Sequence, residues 1–148
     1  MNQPAKLAAM EGIFKTQASA PMAIGGWVDM EKQEVSGLKI PGMLSLLAHR
    51  SLSAPVTGLE AFPRKDWPPV QATFQFYHLM ISVGMALIGV AWLGMFLWWR
   101  GWLFDASSPL IRMFYRVLIL SVLGPQIANQ AGWFTAEIGR QPWIVYGL

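Results

Sequence analysis

The 148-residue chain is 54% hydrophobic and only 13% charged, where soluble domains carry about 25% charged residues; much of its surface therefore faces lipid or other apolar helices. Its net charge of +3 is small, and with no basic stripe, zinc spacing or base-stacking motif nothing points to nucleic acid. It has no cysteine, which excludes disulfides, iron–sulfur clusters and thiolate-bound haem.

The first residues do not form a signal peptide, because Lys6, Glu11 and Lys15 interrupt any apolar run. Met1 therefore reads as an internal start, from a fragment, a split gene or a trimmed chain. Residues 1–72 hold seven of the eleven Lys and Arg and six of the eight Asp and Glu. Gly25-Gly26, Pro41-Gly42, Pro55, Pro63 and Pro68-Pro69 punctuate them, so the segment predicts a long structured loop. Short helices are expected around 4–16 and 42–50.

Leu79 to Trp99 contains 21 residues and no ionisable group. About 20 apolar residues span a bilayer core, so a transmembrane helix is predicted over 73–100. Trp98, Trp99 and Trp102 suit an interfacial belt. Ser82, Ala86 and Gly89 share one face that would admit a neighbouring helix. Residues 101–108 form a connector, and Pro109 suits the first turn of a second spanning helix over 109–136. That helix carries Pro125, Gln126, Asn129 and Gln130 and must bury them against protein. Arg100, Arg112 and Arg116 around the connector place it in the cytoplasm, and the 1–72 loop outside. Residues 137–148 follow, and Val145–Leu148 could begin a further span. The fold class is thus all-α: a fragment of an integral membrane helical bundle, with two spans after a long outer loop.

Gln126, Asn129, Trp133, Glu137 and Arg140 are spaced 3, 4, 4 and 3, one stripe on a helix. The plainer reading is that the stripe packs on other helices and Glu137 pairs with Arg140. The functional reading makes Glu137 a metal ligand and Arg140 its charge balance. Met80 lies at the outer start of the first span. A Met there usually packs, yet its thioether is also an axial haem ligand. His78 and Met80, two apart, cannot both face one iron on an intact helix. Lys6 and Glu11 are five apart; alone they read as a solvated charge pair.

Four stretches carry a family resemblance. Gln3-Pro4-Ala5-Lys6-Leu7-Ala8-Ala9-Met10-Glu11 resembles the start of the quinol-binding loop of cytochrome bd oxidase subunit I, and Lys39-Ile40-Pro41-Gly42-Met43-Leu44-Ser45 a later part of it. Tyr77-His78-Leu79-Met80-Ile81-Ser82-Val83-Gly84 resembles the segment whose Met ligates the low-spin haem b. Gly132 to Trp143, with Gly139-Arg140-Gln141-Pro142-Trp143 inside it, resembles the segment whose Glu ligates the high-spin haem b. The resemblance implies a C-terminal part of that subunit. It implies Lys6 and Glu11 at the quinol site, Met80 on low-spin haem b iron, Glu137 on high-spin haem b iron, Arg140 balancing charge and Trp133 beside the macrocycle. It also implies haem d, quinol and oxygen as substrates, the subunit's N-terminal helices, a second oxidase subunit, and a multi-pass place in a bacterial or archaeal plasma membrane. Two features depart from the family pattern: His78 stands where many members have Arg, and the N-terminal helices with their His ligands are not in this sequence. Two other classes remain as rivals, a non-catalytic membrane or assembly subunit and a bd-like oxidoreductase with a different electron donor.

Overall fold

A computed structural model describes residues 3–105 and 107–142. The chain forms two compact units. The first holds the residues up to His78 together with those from Gly132 onward; the second is Leu79–Ala131.

In the first unit, helix α1 is Pro4–Glu11. Proline at its first turn needs no hydrogen-bonded N–H. Gly12 ends it at φ 65°, in the left-handed region, with its N–H on the Ala8 carbonyl. The helix is shorter than the expected 4–16 because Gly12 does two jobs. A Cβ there would run into the Val35 side chain and come within 3.3 Å of the Phe74 ring.

Strands β1 (Met22–Asp29) and β2 (Glu34–Ile40) then pair antiparallel, with Val28 opposite Val35 and both buried. This hairpin corrects the all-α expectation: the chain is mostly helical with a small sheet. Gly25-Gly26 is part of a strand and not a break. Gly26 faces Gly37 across the ladder, and a Cβ on either would strike backbone of the opposite strand. The turn comes at Asp29, whose Oδ1 accepts the N–H groups of Glu31 and Lys32 at 3.0 Å each.

Helix α2, Met43–His49, falls where a helix was expected. Its buried Ser45 accepts the Ala20 N–H and donates to the Ala54 carbonyl, both at 2.8 Å. Two short 3-10 turns, Leu59–Ala61 and Arg64–Asp66, lead into helix α3, Val70–Trp99. Ala8, Ala9, Phe14, Val28, Val35 and Phe74 belong to one buried cluster under Trp67. The expected loop is thus a folded unit with its own core.

Helix α3 begins three residues before the predicted 73, directly after Pro68-Pro69. Its second part lies in the second unit, and its span is long and apolar enough to cross a membrane, with none of that window buried within the chain. The predicted 109–136 span is instead two helices, α4 (Pro109–Leu120) and α5 (Leu123–Ile138), bent by 41°. Pro125 has no N–H to give to the Ser121 carbonyl, and its ring clashes with that carbonyl in a continuous helix. The break falls at Ser121-Val122. By length and composition the described residues thus offer one span, or two if the bent pair is one. Within the second unit Gly94 lies against the Phe114 ring and Gly124 against the Leu87 side chain. The Ser82, Ala86, Gly89 face is exposed. The predicted start of a further helix at Val145–Leu148 lies outside the described residues.

Gly12→Val combines a left-handed backbone, costing roughly 1–2 kcal/mol in a non-glycine residue, with overpacking worth about 1–3 kcal/mol. The assembled protein should show a clearly lower melting midpoint by differential scanning fluorimetry. An unchanged midpoint would contradict the double role of Gly12.

Candidate functional site

Helix α1 carries the two candidate quinol residues on different faces. Residues five apart on a helix sit about 140° around its axis, and their surroundings differ accordingly. Glu11 is 3% exposed. Its carboxylate faces the Tyr77 hydroxyl, the His78 ring and the Ala23 backbone N–H. One oxygen, Oε2, is buried with no hydrogen-bond partner. Burial pushes the carboxyl above the usual glutamate range, against the opposing pull of Tyr77, His78 and Ala23. Glu11 also lines a cavity of about 290 Å³ with Phe14, Lys15, Lys32, Val35 and Lys39.

Lys6 is turned towards the end of α5. Its Nζ donates to the Ala136 carbonyl at 3.3 Å. Burial and the Arg140 guanidinium hold its ammonium below the usual lysine range, while Glu137 acts the other way. The cleft beside it, formed with Pro4, Phe62, Asp66, Pro68 and Arg140, holds only about 30 Å³. The structure therefore brings Lys6 to Glu137 and Arg140 and does not bring Lys6 and Glu11 into one cavity.

On α5, Arg140 Nη2 donates to Glu137 Oε1 at 2.7 Å, and Arg140 Nε donates to the Ala136 carbonyl at 3.3 Å. This is the ion pair that the plainer reading of the stripe expected. Both side chains remain partly open to solvent. Trp133, one turn earlier, is 57% exposed. A hard carboxylate oxygen is the iron-ligating type of group that this turn offers, and the exposed Trp133 indole one turn earlier is a flat apolar surface. Met80 lies on α3 in the second unit and is partly exposed. Among the described residues no three His, Asp or Glu cluster as a metal site; an axial haem ligand needs no such cluster.

His78 is placed by the structure and not by a ligand. It is buried, with Nδ1 at 2.9 Å from the Phe74 carbonyl and Nε2 at 3.1 Å from the Ala23 carbonyl, and its ring stacks on Phe74 at 3.9 Å. Neither nitrogen is left for a metal. Tyr77 and Gln71 were not singled out in the sequence. The signal was there in the 4, 3 spacing of Gln71, Gln75 and His78, which places them on one helix face.

The family model described as cytochrome bd terminal oxidase subunit I matches residues 1–148. A Bacillus subtilis (strain 168) chain assigned as cytochrome bd menaquinol oxidase subunit I is 39% identical over 149 residues, which is 99% of this chain and 32% of that one. Cytochrome bd ubiquinol oxidase subunit 1 of the same organism is 32% identical over 158 residues, 99% of this chain and 33% of that one. Among solved structures, the bd oxidase from Geobacillus thermodenitrificans matches with a TM-score of 0.78 at 36% identity, over 98% of this chain and 32% of that chain. The chain spans about a third of the length of these relatives.

The Glu11 environment makes a signed pH prediction. Because folding raises this carboxyl's pKa, its contribution to stability is full below the ordinary glutamate range and is lost as pH rises through the raised value. Glu11→Gln removes that loss. Its melting midpoint should gain on the parent protein's as pH rises from the ordinary glutamate range towards neutrality. A constant difference across that window would contradict the burial effect.

Proposed function

Because the chain belongs to the cytochrome bd terminal oxidase subunit I family, we propose that it is the C-terminal part of the large subunit of a membrane quinol oxidase that oxidises quinol and reduces oxygen to water. The observation that carries the quinol half is Glu11: a buried carboxyl with one oxygen unpartnered, on a residue that lines a 290 Å³ cavity. Ligand pockets are commonly about 300 Å³ or more, so a quinol head group suits this cavity, whereas the 30 Å³ cleft at Lys6 holds about one water. In this reading a quinol hydroxyl donates to Glu11 Oε2 and gives up its proton there as its electrons leave. A carboxyl whose pKa is raised by burial is a stronger base for that proton than an exposed one. Lys6 faces the other side of α1, outside this cavity, and would meet a quinone oxygen only at the rim of its own cleft.

Haem b in low-spin and high-spin forms and haem d supply the one-electron carriers and the oxygen-binding iron. Met80 would hold the low-spin haem b iron and Glu137 the high-spin one, with Arg140 balancing charge at Glu137 or a propionate. Trp133 would pack beside the macrocycle. The rest of the same subunit, a second oxidase subunit and the bilayer of a bacterial or archaeal plasma membrane complete the setting, with the unit that carries Glu11 on the outer side.

General acid–base groups contribute about 10²–10⁴-fold. Glu11→Gln should therefore slow quinol turnover at least about a hundredfold while the chemically reduced complex still consumes oxygen. Lys6→Met should raise the Michaelis constant for quinol. Normal quinol kinetics in both variants would remove the quinol site from this loop.

Haem content tests the ligands. Glu137→Ala should lose the high-spin haem b signal, and haem d with it, while the low-spin haem survives. Met80→Leu should keep assembly and change the spectrum and potential of the low-spin haem. Unchanged haem content per assembled Glu137→Ala complex would leave only helix packing for that residue, and a complex purified without haem would make the chain a non-catalytic subunit.

A further inference from the structure

The last turn of α5 is held by two cations, and one of them comes from α1. Lys6 Nζ and Arg140 Nε both donate to the Ala136 carbonyl at 3.3 Å. Arg140 Nη2 in turn holds Glu137 Oε1 at 2.7 Å. The lysine stem lies across the turn at Gly139, where a Cβ would come within 3.2 Å of both its Cγ and its Cε. The absence of a side chain at 139 thus lets the lysine reach the carbonyl. Carbonyls at the end of a helix carry partial negative charge and favour cations. The small volume beside Lys6 leaves little room for a ring, so its main engagement is with this turn.

We infer that Lys6 is a positioning residue for the Glu137–Arg140 site: it fixes the last turn of α5, and with it the Glu137 carboxylate, and it adds a positive charge beside that carboxylate. This rests on the reading that Glu137 ligates the high-spin haem b. Its consequence is that the first helix of the quinol-binding unit and the ligand-bearing turn share one hydrogen-bonded junction. A cation near an iron favours the reduced, less positive state, so losing it lowers the reduction potential.

The test uses the assembled oxidase, poised electrochemically with mediators and without quinol, so that a quinol-binding role is silent. Lys6→Met should lower the midpoint potential of the high-spin haem b and alter its optical band at unchanged haem content, leaving the low-spin haem unmoved. Lys6→Gln, which can still donate to Ala136 but carries no charge, should lower the potential and leave the band nearer the parent's. Lys6→Arg should restore both. If Lys6→Met fails to assemble, the Gln and Arg variants decide by potential alone. Unaltered high-spin haem in Lys6→Met and Lys6→Gln, whatever happens to the quinol Michaelis constant, overturns the inference. A Glu137→Ala complex that keeps its haem refutes the ligand reading itself. Haem lost from Glu137→Ala with an unmoved potential in the Lys6 variants refutes the positioning role alone.

Discussion

The outer edge of strand β1 is satisfied by side chains of a helix. A two-stranded hairpin has two open edges, and it is marginal in water without something to pack against. Here α3 supplies it. The Val28 N–H donates to Gln71 Oε1 at 3.1 Å, Gln75 Nε2 donates to the Gly26 carbonyl at 2.9 Å, and His78 Nε2 meets the Ala23 carbonyl at 3.1 Å. The Ala23 carbonyl is at the buried end of this stripe, where leaving it unpaired would cost about 1–3 kcal/mol. The stripe fixes the hairpin's register on the helix, because each polar side chain reaches one backbone group. Beneath it Phe74 is fully buried between Gly12 and the His78 ring.

The Glu11 site follows from that clamp. Ala23 offers its carbonyl to His78 and its N–H to the Glu11 carboxylate. The same residue thus ties the hairpin to α3 and closes the cavity in which Glu11 sits. Once the hairpin is seated, Val35, Lys39 and Lys32 line the same cavity as Glu11. Taking a carboxylate out of water is costly unless it is paired, and only one of its oxygens faces donors. The clamp therefore holds the Glu11 carboxyl in a buried place that pushes its pKa above the usual glutamate range. A solvated glutamate on an open loop would not be shifted in this way.

What the sequence revealed depends on how far apart the deciding residues lie. The uncharged run from Leu79 to Trp99 announces its helix locally, and Met43–His49 is likewise set by nearby residues. The hairpin was hidden because Gly26 and Gly37 serve a close approach of two strands, and in a single sequence such glycines look like breaks. The bend before α5 was written in Pro125, whose effect on an apolar stretch is easy to discount when charge alone defines a span. At the site, the Glu137–Arg140 pair was legible because its partners are three residues apart. The destination of Lys6 was not, since its partner carbonyl is 130 residues away. The oddity of His78 was visible, but its role depends on a strand that the sequence reading did not contain.

The α5 stripe sets the demand that the rest of an oxidase has to meet. Gln126, Asn129, Trp133, Glu137 and Arg140 are all exposed. Among the described residues only Glu137 and Arg140 have partners for their polar side-chain atoms, and they use each other and the Ala136 carbonyl. Hydrocarbon supplies no hydrogen bonds, so in the proposed bilayer setting the two amides and the indole N–H need donors and acceptors from elsewhere. On α4 the apolar residues Leu110, Met113 and Ile119 are open and fit lipid or neighbouring helices. A short helix with a wet face at membrane depth is tolerated where it is buried in protein or lines a site. In the proposed oxidase, the rest of the subunit would provide that cover on the side of α5 that carries the stripe.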